Sequence, residues 1–416
     1  MKSLIPARRF HRTRTSLSIA FGLLCTGGTP AIAEPSPWEF SFQGLAAAEA
    51  WYFPVRAADT RQRDANTSLA IELEFKWNNH DAGRYVSFIP FGRLDYADSN
   101  RTHADLRELN LLLEYPDSDL LIGVGKVFWG TTETVHWVDV VNQIDLVDDV
   151  NQESRLGQPM IQYNRFTDLG RFSFFVLPGF RERVFPGEEA RLRTHPRIIG
   201  NAATYSSSRE ERHIDFATRW SHTIGNLDLG LSHFWGTVRE PVYNVALLPD
   251  GEIVLHPHYD IVHQFGVDGI WFTGDWLVKF EVMSRHGQGD SDAFRFTVGP
   301  EYTFFRAFGT RSDIDLFAEF LYDSEGTNDI NPFERDVAYG FRLRVNDLRD
   351  TTIEFAGITD LRNAGTFFNL EASTRVHQEW LLRAEARAFA EIPPEDFPLN
   401  GFRRDHHLRL VCEYRF

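Results

Sequence analysis

Fixed charges are the densest chemistry in this sequence. The stretch GKVFWGTTETVHWVDVVNQIDLVDDVNQESRLGQPM, residues 125–160, gathers Asp139, Asp145, Asp148, Asp149 and Glu153. Arginines recur far downstream at Arg295, Arg342, Arg344, Arg383, Arg387 and Arg409, each inside an alternating segment. Carboxylates set against guanidinium groups across water sort solutes by charge, as rings of fixed charge do in channels. Such chemistry needs no covalent step and no cofactor, and none is expected.

Rival chemistries are thinner. HPHYDIVH brings His256, His258 and His263 close to Asp260. On a strand His256 and His258 share a face and suit a transition metal, but the spacing is unspecific, so a histidine-rich outer loop is the reading taken and no metal site is assigned. SSSREERH offers Ser206 to Ser208 with His213, yet serine runs are generally loops. No nucleophile, base and orienting group stand together, so no catalytic residue and no enzymatic activity are expected. GFRERVFPGEEARLRTHPR, residues 179–197, mixes arginines with Glu182, Glu188 and Glu189. It reads as a paired outer loop, or as one that binds anionic sugar or lipid phosphate through guanidinium forks.

The elements that must hold these charges are strands. Apolar side chains fall at every second position in LAIELEFKW, NLDLGLSHFW, WLVKFEVMS, DIDLFAEFLY and VAYGFRLRV. That period marks strands with one apolar and one polar face. Each is near the ~9–11 residues of a tilted membrane strand. Short turn-like gaps such as PDSD, TDLG and TGD alternate with long polar ones at 54–66, 97–105, 130–156, 179–212, 237–259, 323–334 and 390–404. Short turns alternating with long outer loops, and an even strand count, are the layout of an outer-membrane barrel. The fold class expected is all-β, a transmembrane antiparallel β-barrel of about eighteen strands, with about sixteen possible because the pairs at 157–178 and 351–375 are the weakest.

If the apolar positions face lipid, the charged ones face the interior. That interior must be wet or densely ion-paired, because an unpaired buried charge is very costly. A barrel this wide is also not filled by side chains alone. Within 130–156, Val138, Val141, Ile144 and Val147 recur at spacings of three and predict a short helix with one apolar stripe. The segment is expected to fold into the barrel, valines on the wall and acids toward the pore. The alternative is a loop packed over the rim with its acids solvated.

Two resemblances follow from these residues. The strand HLRLVCEYRF, with Leu410, Cys412, Tyr414 and Phe416 on one face, is similar to the terminal strand of bacterial outer-membrane barrels. The resemblance implies that assembly machinery reads those four residues. The segment 125–160, with Trp129-Gly130, Glu133, Asn142 to Leu146 and Leu156 to Met160, resembles an uncharacterised family of outer-membrane barrels and more distantly alginate-export-type porins. Gln143 stands where those families usually have Pro. The resemblance implies a barrel with an internal loop and carries no substrate.

Composition fits. Residues 1–33 hold Lys2, Arg8, Arg9, Arg12 and Arg14, then an apolar run and Ala31-Ile32-Ala33, the layout of a cleaved signal peptide. Residues 34–416 are expected to form the barrel. The formal charge is −16, and losing five basic residues with the signal would make it more negative, so nucleic acid is excluded as a partner. Of two cysteines, Cys412 alone lies beyond the signal, so no internal disulfide is expected. Aromatics reach 14% at a mean hydropathy of −0.32, as expected where the apolar surface occupies alternate positions. The expected role is an outer-membrane channel for a small polar solute, surrounded by lipid and lipopolysaccharide. The alternative is an export or scaffold barrel with periplasmic or surface partners. Oligomeric state and the sign of ion selectivity are not legible, since the inner charges are mixed.

Overall fold

The computed structural model describes residues 37–149, 151–325, 332–394 and 399–416. The expected signal peptide, 1–33, lies outside the described residues. The first strands are β1 (Glu39–Tyr52), β2 (Ala65–Asn79), β3 (Arg84–Asp95), β4 (His103–Tyr115), β5 (Ser118–Gly125), β6 (Gln158–Thr167) and β7 (Gly170–Pro178). Next come β8 (Thr204–Tyr205), β9 (Ile214–Ile224), β10 (Leu227–Thr237), β11 (Val242–Leu247), β12 (Ile253–Tyr259) and β13 (Ile261–Thr273). The last are β14 (Trp276–His286), β15 (Ala293–Phe304), β16 (Asp313–Asp323), β17 (Arg335–Arg344), β18 (Thr352–Asp360), β19 (Thr366–Arg375), β20 (Trp380–Ala390) and β21 (His407–Arg415).

Eighteen of these form one sheet in which each strand pairs antiparallel with its neighbours in sequence. β1 pairs with β2 along its whole length and with β21 from Leu45↔Arg415 to Tyr52↔Leu408. The sheet therefore closes, and no edge is left for other chains to pair with. The segments 157–178 and 351–375 form β6–β7 and β18–β19, so the count is eighteen. The remaining strands make a separate sheet among the long loops, with β12 antiparallel to β11 and parallel to β8. That second sheet was not expected from the sequence.

Local chemistry explains the departures from regular ladders. Pro90 lacks an N–H, and the β3–β4 register shifts between Ile89 and Pro90, the way a strand accommodates proline. Gly225 and Gly274, with φ of +61° and +63°, make the tight turns after β9 and β13.

Alternation sorts the faces. In β21, Leu408, Leu410 and Tyr414 are exposed outward while Arg409, Val411 and Glu413 are buried. In β2, Leu69 and Ile71 are exposed while Ser68 and Ala70 are buried. The buried inner set is heavily charged and includes Glu49, Arg93, Arg107, Glu281, Arg295, Glu319, Glu385 and Arg387. An apolar face exposed all round and a charged interior invert the arrangement of a water-soluble protein.

Candidate functional site

The segment 126–157 leaves β5 and returns to β6 without forming the helix that its valine spacing predicts. Its backbone groups are bonded elsewhere: Ile144 N–H donates to Gln143 Oε1, the Val141 carbonyl accepts from Arg239, and the Gln143 carbonyl accepts from Leu156 N–H. Asn142 Oδ1 accepts from Val127 N–H at 2.9 Å, and Asn142 Nδ2 donates to the Gly125 and Leu156 carbonyls. Asp139 Oδ1 accepts from the N–H groups of Trp129 and Gly130 at 2.6 and 3.0 Å. These bonds tie the start and end of the segment to its middle. A bridge between Ile144 and Arg155 closes the far half into a narrow lobe. Val138, Val140 and Val141 are buried against Met160, Phe175, Leu177 and Phe234 on the wall.

The other contacts reach across the interior. The N–H groups of Thr131 and Thr132 donate to Glu281 of β14 at 2.7 and 3.1 Å. Those of Glu133 and Thr134 donate to Glu319 of β16 at 2.6 and 3.1 Å. The Glu133 carboxylate bridges Lys279 of β14 and Arg342 of β17. Trp137 Nε1 donates to Thr297 Oγ1 of β15 at 2.8 Å. The second limb goes elsewhere. Asp145 pairs with Arg107 of β4 at 3.0 Å, and Asp148 with Arg93 of β3 at 2.6 Å. Asp149 takes Arg387 of β20 and Arg409 of β21, both at 2.8 Å. One loop thus ties together strands from most of the circumference.

The sequence-predicted residues are distributed as follows. Asp149, Arg387 and Arg409 come together, and Arg342 meets the loop through Glu133. Asp139 pairs within the loop with Arg155 at 3.3 Å, and Glu153 lies 3.6 Å from His136. Three arginines take other carboxylates, Arg344 and Arg383 on the wall and Arg295 on both the wall and long loops, with the Arg295 guanidinium also lying over Trp137 at 5.2 Å. Arg295 takes Asp323, Glu240 and Glu325; Arg344 takes Asp315; Arg383 takes Glu371 and Glu413. Arg93 and Arg107 were missed by the sequence reading, although both sit at inward positions of alternating strands. His136 and Lys279 were missed as well.

Loop electrostatics follow from burial against pairing. Burial alone would raise the Asp149 carboxyl, but Arg387 and Arg409 hold it well below the usual carboxylate range. Asp148 is lowered against its burial by Arg93 and Arg107. Asp145 is pushed up by burial and by Asp148 beside it, despite Arg107. Burial would lower the His136 imidazole, but Glu153, Glu281 and Asp139 hold it up at about 9.

On the long-loop side of this segment lies a cavity of about 290 Å³. Its wall includes Arg155, Arg183, Arg239, Phe185, Tyr243 and Phe389. The arginine-rich loop 179–197 binds to other loops: Arg191 to Asp64 and Asp405, Arg193 to Asp59, Arg197 to Glu252. The histidines separate. His258 pairs with Asp260 at 3.2 Å, whereas His263 stands beside His233 on the barrel wall, also at 3.2 Å. Ser206 donates to Asp260 at 2.5 Å, and His213 pairs with Asp215. Among the described residues no group of three or more His, Cys, Asp or Glu is placed to hold a metal ion. Leu410, Tyr414 and Phe416 are exposed on the outer face, with Cys412 half-buried in the same strand.

No protein-family model matches the chain, and no curated protein matches it. Solved structures do. A five-substitution variant of Rhodopseudomonas blastica porin is 11% identical, with a TM-score of 0.45, over 91% of this chain and 100% of that one. Another variant of the same porin, with two tryptophan replacements, gives 0.46 at 11% identity over the same shares. A structure described as asymmetric conductivity of engineered proteins gives 0.44 at 11% identity, again over 91% and 100%.

Proposed function

We propose that this protein is an outer-membrane channel for the passive, selective diffusion of small polar or charged solutes. The observation that carries this reading is the sorting of side chains in a closed barrel: apolar outside, charged inside, with one loop pinned across the interior. A closed ladder satisfies every backbone group, which is what a strand needs in lipid. The exposed apolar face suits a bilayer and would be costly in water.

In this reading Asp139, Asp145, Asp148, Asp149 and Glu153, with Arg295, Arg342, Arg344, Arg383, Arg387 and Arg409, set the charge pattern a solute meets. Fixed charges at close quarters discriminate by size and sign. Outer-leaflet lipid and lipopolysaccharide surround the wall. The assembly machinery reads Leu410, Cys412, Tyr414 and Phe416. The likeness of residues 125–160 to an uncharacterised barrel family and to alginate-export-type porins is compatible with a channel whose loop folds inward. No covalent step is assigned to any residue.

Liposome swelling tests the reading. Vesicles carrying the refolded protein are diluted into isotonic sugars and amino acids of rising size. A channel makes the smallest solutes enter fastest, with a sharp size limit. Vesicles no more permeable than protein-free ones would contradict it.

A further inference from the structure

We infer that the cavity on the long-loop side of residues 126–157 binds organic carboxylates with a flat apolar body, and that the barrel takes up such solutes in preference to other small anions. The inference rests on the channel reading and names its solute class.

The cavity has two kinds of wall. One is aromatic. Phe185 and Tyr243 lie with ring centroids 6.0 Å apart. Phe389 lies 5.3 Å from Phe367 and 5.9 Å from Phe402. All five line the cavity, and its lining is mostly apolar. A cavity of about 290 Å³ exceeds the ~150 Å³ that holds a benzene ring.

The other wall is charged: Asp139, Glu153, Glu240, Asp336 and Glu371 line it, but arginines outnumber them, and two of those arginines are incompletely satisfied. Arg155 and Arg239 are both 4% exposed. Arg155 pairs with Asp139 at 3.3 Å, yet its Nε and Nη1 have no hydrogen-bond partner among the described residues. Arg239 pairs with Asp215 at 2.8 Å, yet its Nη2 has none either. Arg183 donates to neutral acceptors, Gln143 Oε1 at 3.1 Å and the Arg239 carbonyl at 3.0 Å. Buried donors left without acceptors are costly. A carboxylate accepts charge-assisted hydrogen bonds from guanidinium groups, stronger than those of neutral acceptors. The excess of arginines over carboxylates in the lining disfavours a cation of equal size. The aromatic wall rewards a flat apolar body over a hydrated one.

The test uses the full-length protein in a planar bilayer, with potassium chloride current recorded. Sodium benzoate, acetate and glucuronate and phenyltrimethylammonium chloride are added in turn to the long-loop side. Benzoate should interrupt the current at roughly tenfold lower concentration than acetate or glucuronate, and the cation should not interrupt it. In the double variant Phe185→Ala/Tyr243→Ala the open conductance should persist and the benzoate preference should collapse. Phe389→Leu serves if that variant does not assemble. Equal block by all three carboxylates, block by the cation, or a preference unchanged in the variants would overturn the inference while leaving the channel reading intact. A protein that passes no current defeats the channel reading. Calorimetric titration in detergent then decides the site: benzoate binding stronger than acetate sustains it, and equal or absent binding overturns it.

Discussion

Asp149 joins two strands through one carboxylate, 2.8 Å from both Arg387 and Arg409. All three side chains are largely buried. Asp149→Asn should therefore loosen the loop at a cost on the order of 3 kcal/mol, because two guanidinium groups lose a charged partner. Thermal unfolding of wild type against variant measures it. The depressed carboxyl also fixes a pH window. Its stabilisation is present above the unfolded value of ~3.9 and is lost as pH falls below that, so the Asp149 contribution should be constant from pH 8 to 5 and the difference between wild type and Asp149→Asn should not change over that range. His136 runs the other way. Its folded value of about 9 lies above the ordinary 6.5, so its contribution is complete below pH 6.5 and disappears as pH rises through about 9. The melting temperature should fall between pH 6.5 and 9.5, and His136→Gln should flatten that fall.

The loop 126–157 depends on close backbone approach. A methyl group on Gly157 would lie 2.5 Å from the Arg107 carbonyl oxygen and 2.6 Å from that of Leu106. Gly157→Ala must displace the loop's return to β6, and limited proteolysis should cut within 126–157 faster in the variant than in wild type. The strands were legible because burial alternates at a period of two, which the sequence carries locally. The loop was legible only in part. Its apolar valines and its acids marked it as unusual for a surface, but their partners on β3, β4, β20 and β21 lie far away in sequence. The helix expectation was wrong because a spacing of three also fits a turn-rich lobe, in which the carbonyls of Val141 and Gln143 and the N–H groups of Ile144 and Asp145 bond to Arg239, Leu156, Gln143 and Ser154 instead of to each other. The loop sheet was invisible because β8 has two residues, too few to show a period.

Closure of the whole barrel converges on Gly44 and Phe416. Their backbones exchange hydrogen bonds of 2.8 and 3.0 Å, and the Phe416 ring lies over the glycine, 2.3 Å from where a Cβ would stand. Phe42 and Tyr414 flank that ring at 5.9 and 5.7 Å. Phe416→Ala should cost about 1.5 kcal/mol in lost ring contacts. Gly44→Ala should destabilise wild type but add little once Phe416 is alanine, a coupling that a double-mutant cycle of unfolding free energies reads directly. The sequence pattern placed Phe416 in a strand, but the bare glycine beneath it depends on register and could not be read from either segment alone.

A loop pinned across the barrel sets the charge pattern of a wet passage. Single-channel conductance in a planar bilayer, with reversal potential in a salt gradient, addresses it most directly. It would be recorded for the wild type and for Asp148→Asn/Asp149→Asn. A steady open conductance is expected, with a reversal potential that moves toward anion selectivity in the variant, because Arg93, Arg387 and Arg409 each lose one of their neutralising carboxylates. A wild type without conductance, or a reversal potential unmoved by the substitutions, would contradict it.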